Sequence, residues 1–465
     1  MTKLFTRRQA GVLTWLHLSD IHFGEARHQE QRAVLNRLLA DVKVLREKER
    51  LAFDCVFVTG DIAWSGKAAE YDQAKAAPGV SQPGMDARTF LGELQQAAAV
   101  EPEQIFVIPG NHDVDREFPK SVAVKKFQDE LVADAAGENN EDLIHKFLTS
   151  TDYEHDRDAI LCKYGAYVEF VKTCFGHCAP DGLPGWYTRG FSVSGFPFER
   201  FWIVGLNSAW LSRANETKGK LLLGYEQVQA ALGTVEKDGK PMEDLVIALT
   251  HHPFSWFPEW DERLCKQQIN SRCDFHLSGH LHEHDFELRI RGPQRCSGIA
   301  AGSAYGGSQW YNGYNVVRLD CNTGKGLAYL RRYEPTISEW KPDARFETPA
   351  VGQFEWDLPK RFFPTPGPAP THQPSVPAST QPAPYKKVSA DPGELFSLLS
   401  DKLTSTQFNA VVHKIGVPQG EMPSVNAPQG HRTHYLLNWA NSITGCGLER
   451  LARVVEEVIN RNHPT

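Results

Sequence analysis

The sequence lacks several features that define common classes of protein. No apolar run approaches the roughly 20 residues that a membrane-spanning helix requires, so no membrane partner is expected. The nine cysteines follow no repeating spacing over 465 residues, which argues against a disulfide framework and predicts free thiols. The net charge of -7 argues against a protein that coats nucleic acid through a strongly basic surface. No internal repeat is apparent.

Two local patterns are incomplete. Cys174, His177 and Cys178 resemble half of a zinc site, but a second half at ligand spacing is missing. Basic residues precede an apolar stretch near the N-terminus, as in a signal peptide. This stretch runs into Asp20 and His22 without a small-residue cleavage site, so it is interpreted as a buried first strand. A cytoplasmic location is therefore expected.

Apolar runs rich in β-branched and aromatic residues alternate with helical stretches over most of the chain. The runs predicted as strands are 12–18, 55–59, 105–108, 201–206, 245–250 and 275–277. Two later runs, 314–319 and 326–331, predict a hairpin around Asn322-Thr323-Gly324. Strands that are apolar on both faces imply a sheet covered by helices.

The length exceeds one core of ordinary size, so two domains are expected. The first is predicted over residues 1–340, with a charged helical insertion at about 114–185. This insertion would either cap a functional site or extend the helical layer. Residues 341–390 are predicted to form a proline-rich linker. Residues 391–465 show only helical periodicity, which predicts a small separate all-α bundle.

Five short polar motifs each follow a predicted strand. They are Asp20-Ile21-His22, Gly60-Asp61, Gly110-Asn111-His112-Asp113, His251-His252-Pro253 and Gly279-His280-Leu281-His282. Each motif alone is also an ordinary turn, but ligands in open α/β sheets gather where strands end, and five such motifs in series indicate convergence. Because carboxylate, amide and imidazole donors suit manganese, iron or zinc, and one carboxylate can bridge two ions, the set predicts a dinuclear metal site.

The five motifs resemble the signature of calcineurin-like metallophosphoesterases over about residues 13–334. The resemblance implies an α/β fold (α+β, four-layer), in which a two-sheet β sandwich is flanked by helices. It also implies two divalent ions, with manganese expected and iron or zinc as alternatives. In the implied ligand set, Asp20, His22 and His282 hold the first ion, Asn111, His251 and His280 hold the second, and Asp61 bridges them.

Two further assignments at this site depend on the resemblance. His251 is preferred to His252 because the family ligand directly ends its strand, and His252 is followed by Pro253. His112 resembles the family residue that steadies the phosphoryl oxygen or protonates the leaving oxygen, and Asp113 would orient its imidazole. A purely structural role for His112 is the alternative.

The type of ester is suggested by two motifs in which this sequence differs from the protein phosphatases of the superfamily. Those carry an Asp-Arg-Gly extension after the bridging aspartate and a glutamate after the histidine of the third motif. This chain has Asp61-Ile62-Ala63-Trp64 and His112-Asp113 at these places, which favours phosphodiesterases and nucleases. The strings around Asp20, Asp61 and Asn111 also resemble bacterial metallophosphoesterases that are fused to conflict-system modules.

The C-terminal region, about 392–459, resembles a bacterial effector-associated, death-like domain. The resemblance rests on Phe408, Gly416, Arg432 and the string Leu436-Leu437-Asn438-Trp439-Ala440, among others. It implies recruitment by a protein partner that carries a matching domain. The alternative is a helical domain that only dimerises or steadies the enzyme.

Three classes of function follow from these patterns. The first is a nuclease, or nucleic-acid phosphodiesterase, that acts as an antiviral defence effector, although no long basic track is present. The second is hydrolysis of a cyclic nucleotide or dinucleotide messenger, which needs less positive surface. The third, a non-catalytic adaptor, conflicts with the full set of metal-ligand types.

Overall fold

The computed structural model describes most of the first 362 residues and separate parts of the C-terminal region. The described residues are 10–25, 27–75, 85–118, 120–132, 141–213, 218–238, 243–282, 285–291, 294–307, 311–346, 349–362, 395, 398–415, 417, 432–433, 436–437, 440 and 447–460. The chain divides into two compact units, Met1–Ala369 and Pro370–Thr465. Each unit is described by itself.

The first unit alternates strands and helices. Its strands are β1 (Val12–Leu18), β2 (Cys55–Thr59), β3 (Ile105–Ile108), β4 (Tyr187–Ser192), β5 (Arg200–Gly205), β6 (Leu245–Leu249), β7 (Phe275–Ser278), β8 (Asp285–Arg291), β9 (Gln294–Ala300), β10 (Gly313–Asp320), β11 (Lys325–Glu334), β12 (Glu339–Pro342) and β13 (Gln353–Asp357). Its α-helices are α1 (His28–Glu47), α2 (Ala68–Tyr71), α3 (Ala87–Ala98), α4 (Val122–Val132), α5 (Glu141–Thr149), α6 (Glu154–Leu161), α7 (Gly165–Cys174), α8 (Tyr225–Asp238) and α9 (Glu259–Arg272).

The strands form two mixed sheets. The first sheet has the order β12-β11-β10-β1-β2-β3, with β13 also paired to β11, and the second has the order β4-β5-β6-β7-β9-β8. In the first sheet β1, β2 and β3 run parallel. In the second sheet β5, β6, β7 and β9 run parallel. Each sheet therefore brings the carboxyl ends of several strands to one edge, where their loops can meet.

The two sheets pack against each other through large buried side chains. Trp15 of β1 contacts Phe57 of β2 and also Phe275 of the second sheet, with ring centroids 6.1 Å and 5.3 Å apart. All seven residues of β1 are buried, as expected for a strand covered on both faces. Aromatic side chains contribute much of the apolar area that such a core removes from water.

The helices cover the outer faces of the sheets, and their ends follow local sequence. In α1 the buried side chains Val34, Leu38, Val42 and Leu45 recur at helical spacing. Helix α3 begins after Asp86, whose carboxylate accepts a hydrogen bond from the backbone N–H of Thr89 at 2.8 Å. Such a cap satisfies a backbone donor that the first helical turn leaves free.

The predicted α/β architecture is confirmed for the first unit, which has two mixed sheets flanked by helices. Strands β1, β2 and β3 have the predicted bounds. Strand β5 is displaced by one residue from the predicted run 201–206. The predicted hairpin is also present, since β10 and β11 pair antiparallel on either side of the turn at residues 321–324.

The predicted domain end at residue 340 is too early. Strand β12 continues to Pro342, and β13 pairs with β11 from Tyr329↔Gln353 to Lys325↔Asp357. Residues 341–357 therefore belong in part to the first sheet, although they were predicted as linker. Sequence analysis did not predict β13, because the strand is only five residues long and is stabilised by pairing with β11. The prolines from residue 364 onward lie outside the described residues.

The described part of the insertion packs as an additional helical layer. The ring of Phe170 in α7 stacks on Tyr71 of α2 at a centroid distance of 5.0 Å. Lys163 and Tyr164 donate hydrogen bonds to the backbone carbonyls of Ser212 and Ala209 in the loop after β5. Of the two alternatives left open for the insertion, capping the site or extending the helical layer, these contacts favour the second for its described part.

In the second unit, the described residues include helices Ser405–Ile415 and Leu448–Asn460. Their buried apolar side chains, among them Phe408, Val411 and Leu451, form one cluster. Most of the residues on which the death-like resemblance rests, such as Gly416 and Asn438, lie outside the described residues. Among the described residues, no helix is both long and apolar enough to span a membrane. The eight described cysteines are free thiols.

Candidate metal centre

The predicted metal ligands follow the carboxyl ends of five strands. Asp20 and His22 follow β1, Asp61 follows β2, Asn111 follows β3, His251 follows β6, and His280 and His282 follow β7. The structure brings all seven together, although they are spread over more than 260 positions of the sequence. Each of their side chains lies 3.1–3.3 Å from at least one other member of the set.

The backbone at these positions is strained. Eight non-glycine residues in the described part of the chain have positive φ angles, and five of them are predicted ligands: Asp20, His22, Asp61, His280 and His282. This conformation costs L-residues roughly 1–2 kcal/mol each and is concentrated at functional sites. Sequence analysis did not predict it, because positive φ is uncommon even for aspartate and histidine, which are enriched there.

Two glycines allow the loops to approach each other closely. A Cβ atom at Gly110 would overlap the carboxylate of Asp61, and one at Gly60 would lie 2.6 Å from Nδ1 of His251. Gly60 also has a positive φ of 93°, which glycine adopts without strain. These two glycines therefore permit Asp61 and His251 to meet.

The first cluster contains Asp20, His22 and His282. Nε2 of His282 lies 3.1 Å from Oδ1 of Asp20, and the backbone N–H of His280 donates to Oδ2 of the same carboxylate at 3.0 Å. Asp20 is fully buried. Burial alone would raise the pKa of Asp20, but the neighbouring His282 holds it below its usual range.

The second cluster is centred on Nε2 of His251. This atom lies 3.1 Å from Oδ1 of Asn111, 3.2 Å from Nδ1 of His280 and 3.3 Å from Oδ2 of Asp61. The same Asp61 oxygen also lies 3.3 Å from Nε2 of His22 in the first cluster. Asp61 therefore stands between the two clusters, which is the position of a bridging carboxylate.

Backbone carbonyls orient two of the imidazoles. Nδ1 of His22 donates to the carbonyl oxygen of Tyr305 at 3.2 Å, and Nδ1 of His251 donates to that of Thr59 at 2.7 Å. A carbonyl oxygen can only accept, so these partners assign the proton to Nδ1 and leave the Nε2 lone pairs free. Partners of this kind commonly fix the tautomer of metal-binding histidines.

These donors fit divalent metal ions. The free Nε2 lone pairs of His22 and His251 both face an Asp61 carboxylate oxygen, and such acceptors repel each other unless a cation lies between them. The charge of the site also favours a cation: burial alone would lower the pKa of His251 whereas Asp61 raises it to about 9, so a proton supplies positive charge there when no metal ion is bound. Divalent ions supply the positive charge that the carboxylates of Asp20 and Asp61 require.

His252 differs from His251 in its hydrogen bonds. Oγ of Ser208 accepts the backbone N–H groups of His251 and His252 at 3.1 Å and 3.0 Å, and it lies 3.1 Å from Nδ1 of His252. Because two donors already occupy its acceptor sites, the serine hydroxyl donates its proton to Nδ1. Nε2 of His252 then carries a proton and has no lone pair for a metal, although the ring lies close to His251 and His280.

His112 lies beside the first cluster. Its backbone N–H donates to Oδ1 of Asp61 at 2.7 Å, and its Nδ1 donates to the carbonyl oxygen of Trp64 at 2.7 Å. Its ring packs edge-on against His22, with centroids 4.8 Å apart. Burial lowers the pKa of His112 below its usual value. Nε2 is therefore the nitrogen on which a mobile proton can be exchanged.

Asp113 does not orient His112, contrary to the predicted role. Its carboxylate accepts hydrogen bonds from the backbone N–H groups of Ile62, Ala63 and Gly110 and from the hydroxyl of Tyr71, at 2.7–3.2 Å. Burial raises the pKa of Asp113 to about 6. The side chain thus fastens the loop after β3 to the loop after β2, and the carbonyl of Trp64 orients the imidazole.

Sequence reasoning missed three contributors to this geometry. The carbonyls of Thr59 and Tyr305 have no sequence signature, because every residue has one. Ser208 belongs to a string that sequence analysis noted, Leu206-Asn207-Ser208-Ala209-Trp210, but its contact with His252 depends on the pairing of β5 with β6. Only the fold reveals these partners.

The comparison with protein families agrees with this geometry. A family model described as calcineurin-like phosphoesterase matches residues 13–284, which is more than half of the chain. The chain belongs to the calcineurin-like phosphoesterases. It is therefore a metal-dependent phosphoesterase, a hydrolase that acts on ester bonds, and its clusters form the two-metal site typical of this family.

Several solved structures are similar to this calcineurin-like phosphoesterase at low identity. A dimetal phosphatase from Danio rerio is 15% identical, with 70% of this chain and 96% of that chain covered and a TM-score of 0.39. A purple acid phosphatase from yellow lupin (Lupinus luteus) seeds is 14% identical, with 76% and 55% covered and a TM-score of 0.40. Vacuolar protein sorting 29 from Cryptosporidium parvum is 10% identical, with 74% and 98% covered and a TM-score of 0.30. No curated protein matches the chain.

Proposed function

We propose that this phosphoesterase hydrolyses phosphodiesters with two divalent ions at the two clusters. In this proposal Asp20, His22 and His282 bind the first ion, Asn111, His251 and His280 bind the second, and Asp61 binds both. The contacts of Asp61 with His22 and His251 support its bridging role. The hydrogen bond from Ser208 supports the choice of His251 over His252. Manganese is the expected metal, with iron and zinc as alternatives that suit the same donors.

When bound, the two ions would supply Lewis acidity, which lowers the pKa of a water molecule and stabilises negative charge on the phosphate. The residues of the chain complete the site around them. His112 is proposed to steady a phosphoryl oxygen or to protonate the leaving oxygen through Nε2, since its Nδ1 is occupied by the carbonyl of Trp64. Asp113 acts indirectly, because it holds the loop that carries Asn111 and His112.

The preference for a diester rests on the residues that follow Asp61. Ile62 and Ala63 are fully buried, and Trp64 is exposed at the rim beside His112. No cationic side chain therefore follows the proposed bridging carboxylate, where the protein phosphatases of the superfamily have an arginine. A diester carries one negative charge and needs less positive charge than a dianionic monoester. The apolar rim is suited to the second ester substituent.

A substrate panel tests this function. With added manganese, the full chain should hydrolyse bis(p-nitrophenyl) phosphate at a higher kcat/KM than p-nitrophenyl phosphate, and Asp61→Ala should abolish both activities. DNA, RNA and cyclic nucleotides then distinguish a nuclease from a messenger phosphodiesterase. Faster turnover of a monoester or a phosphopeptide than of every diester would overturn the proposal. If Asp61→Ala abolished hydrolysis but left the biological function of the protein unchanged, that result would instead support a non-catalytic adaptor.

We further propose that the C-terminal unit recruits the enzyme to a partner with a matching effector-associated domain, as part of bacterial antiviral defence. The buried cluster around Phe408 and Leu451 supports a helical recognition unit. A chain that ends near Pro370 should retain basal hydrolysis but lose any stimulation by the assembled partner. Equal stimulation of the full and shortened chains would overturn the recruitment role and leave the hydrolytic function intact.

A further inference from the structure

Exposed apolar side chains occur next to the metal centre. Eight large hydrophobic residues are exposed in the described part of the chain, and two of them, Trp64 and Leu281, belong to the loops that carry the clusters. Trp64 follows Asp61 by three positions and is 38% exposed, and Leu281 lies between His280 and His282 and is 42% exposed. A tryptophan is seldom left exposed, and apolar surface beside a reactive site commonly contacts a ligand.

The position of Trp64 is fixed by its backbone. Its N–H donates to the carbonyl of Phe23 at 2.8 Å, and its own carbonyl accepts from Nδ1 of His112 at 2.7 Å. The neighbouring Ala63 forms a β-bridge with Phe23. The indole is thus held by a preorganised loop, so a ligand that contacts it loses little of its affinity to ordering of the protein.

The indole lies directly beside the reacting groups. Its centroid is 4.7 Å from that of His112 with an interplanar angle of 34°, and 5.4 Å from that of His22 with an angle of 81°. His22 is a proposed ligand of the first ion, and His112 is the residue proposed to contact the phosphate. A planar group attached to that phosphate therefore lies within reach of the exposed part of the indole.

We propose that Trp64 is a stacking platform for the nucleobase of a nucleotide ester bound at the metal centre. This inference rests on the proposed function and specifies its substrate class. Stacking on an aromatic ring accepts any base, because every base has a π-face. Leu281 provides apolar surface beside His280 and His282, on the loop after β7.

A second role of Trp64 has to be separated from stacking. The indole also packs against His22 and His112 and therefore shields the centre from solvent. Substitution of the side chain leaves the carbonyl that orients His112 in place. Trp64→Phe keeps an aromatic ring, whereas Trp64→Leu keeps only apolar bulk, so the two variants distinguish base stacking from solvent shielding.

Val44→Ala on α1 is a matched control. Val44 is an equally exposed apolar residue at 39%, and its helix carries no proposed ligand.

The test compares two inhibitors that differ only in the base. Hydrolysis of bis(p-nitrophenyl) phosphate by the manganese-loaded full chain is inhibited with adenosine 5′-monophosphate and with ribose 5-phosphate. The adenosine compound should inhibit more strongly, and Trp64→Leu should reduce the ratio of the two inhibition constants by roughly 5- to 150-fold, the value of one stacked base. Trp64→Phe should retain most of the ratio, and Val44→Ala should retain all of it.

An unchanged ratio in Trp64→Leu would overturn the stacking role, as would equal inhibition by the two compounds in the unmodified chain. An equal loss with both compounds would assign Trp64 to shielding alone. If the chain hydrolyses only monoesters, the proposed diester function fails. The same inhibition ratio is then measured with p-nitrophenyl phosphate, so the stacking role is still decided separately.

Discussion

Oγ of Ser208 lies 3.1 Å from Nδ1 of His252, and this contact distinguishes two adjacent histidines at the end of β6. The serine hydroxyl has its acceptor sites filled by two backbone N–H groups, so it donates to His252. The neighbouring His251 donates through Nδ1 to a carbonyl and keeps the lone pair of Nε2. In this arrangement His251 keeps a lone pair on Nε2, whereas His252 accepts the serine proton through Nδ1 and carries its own proton on Nε2.

This difference predicts separate effects of substitution on metal content. His251→Ala should lower the bound metal from about two ions per chain toward one, because the second ion loses a central donor. His252→Asn should retain both ions, since its side-chain oxygen can still accept from Ser208. Metal analysis of the purified variants measures the stoichiometry. Loss of an ion from His252→Asn alone would reverse the assignment.

Metal removal should reduce both activity and stability. The carboxylates of Asp20 and Asp61 are buried in the same site, and their repulsion is relieved by bound cations. At a manganese concentration 100-fold above Kd, binding should stabilise the native state by about 2.7 kcal/mol. Differential scanning fluorimetry of the chelator-treated chain, with and without added manganese, measures the change in Tm.

Asp61→Ala is the matched control for this experiment, because it removes the proposed bridge and one of the two carboxylates. Its Tm should respond much less to manganese. A Tm of the unmodified chain that does not change with manganese would show that the native state does not bind the metal preferentially.

His112→Ala should separate turnover from metal binding. The hydrogen bond from residue 112 to Asp61 comes from its backbone N–H, which the alanine variant keeps, so both ions should remain bound. Loss of the proposed proton donor should lower kcat by roughly 100- to 10,000-fold. Steady-state kinetics and metal analysis of the same preparation test both parts. A variant with the unmodified rate would remove His112 from the mechanism.

Asp113 should contribute more to the free energy of unfolding than Tyr71, which donates a hydrogen bond to it. Asp113→Ala leaves the buried N–H groups of Ile62, Ala63 and Gly110 without their acceptor. Each such donor costs about 1–3 kcal/mol, so unfolding free energy should fall by at least about 3 kcal/mol. Tyr71→Phe removes a single hydrogen bond and should cost about 1 kcal/mol. Urea unfolding of the metal-free variants gives the comparison, and equal losses would contradict it.

Much of the fold was predictable because its strands are buried on both faces. Runs of four to seven mostly apolar residues, followed by Ser19, Gly60 and Pro109, defined the bounds of β1, β2 and β3 without further information. The short strand β13 was missed, because its alternating residues Gln353–Asp357 are stabilised by pairing with β11 rather than by burial of a complete apolar run. Local pattern therefore identified strands whose own residues are buried and apolar, including β3 at one edge of the first sheet, and it missed the short strand β13.

The role of Asp113 shows the same limit within the site. Its place beside His112 in the sequence suggested a contact between the two side chains, but the carboxylate turns toward Ile62 and Ala63, fifty positions earlier. Adjacent residues of a loop commonly point in different directions, and the backbone conformation that decides this depends on the loops packed against it.

The sequence by itself determined which residue types follow the strands, and these motifs were sufficient to predict a metal-dependent phosphoesterase. Only the tertiary structure decided which atoms face each other. The proton on His22 is assigned by the carbonyl of Tyr305, 283 positions away, and Asp61 reaches both clusters because a glycine at position 110 leaves room for it. Such contacts join different sheets and loops, so they exist only once the core has packed.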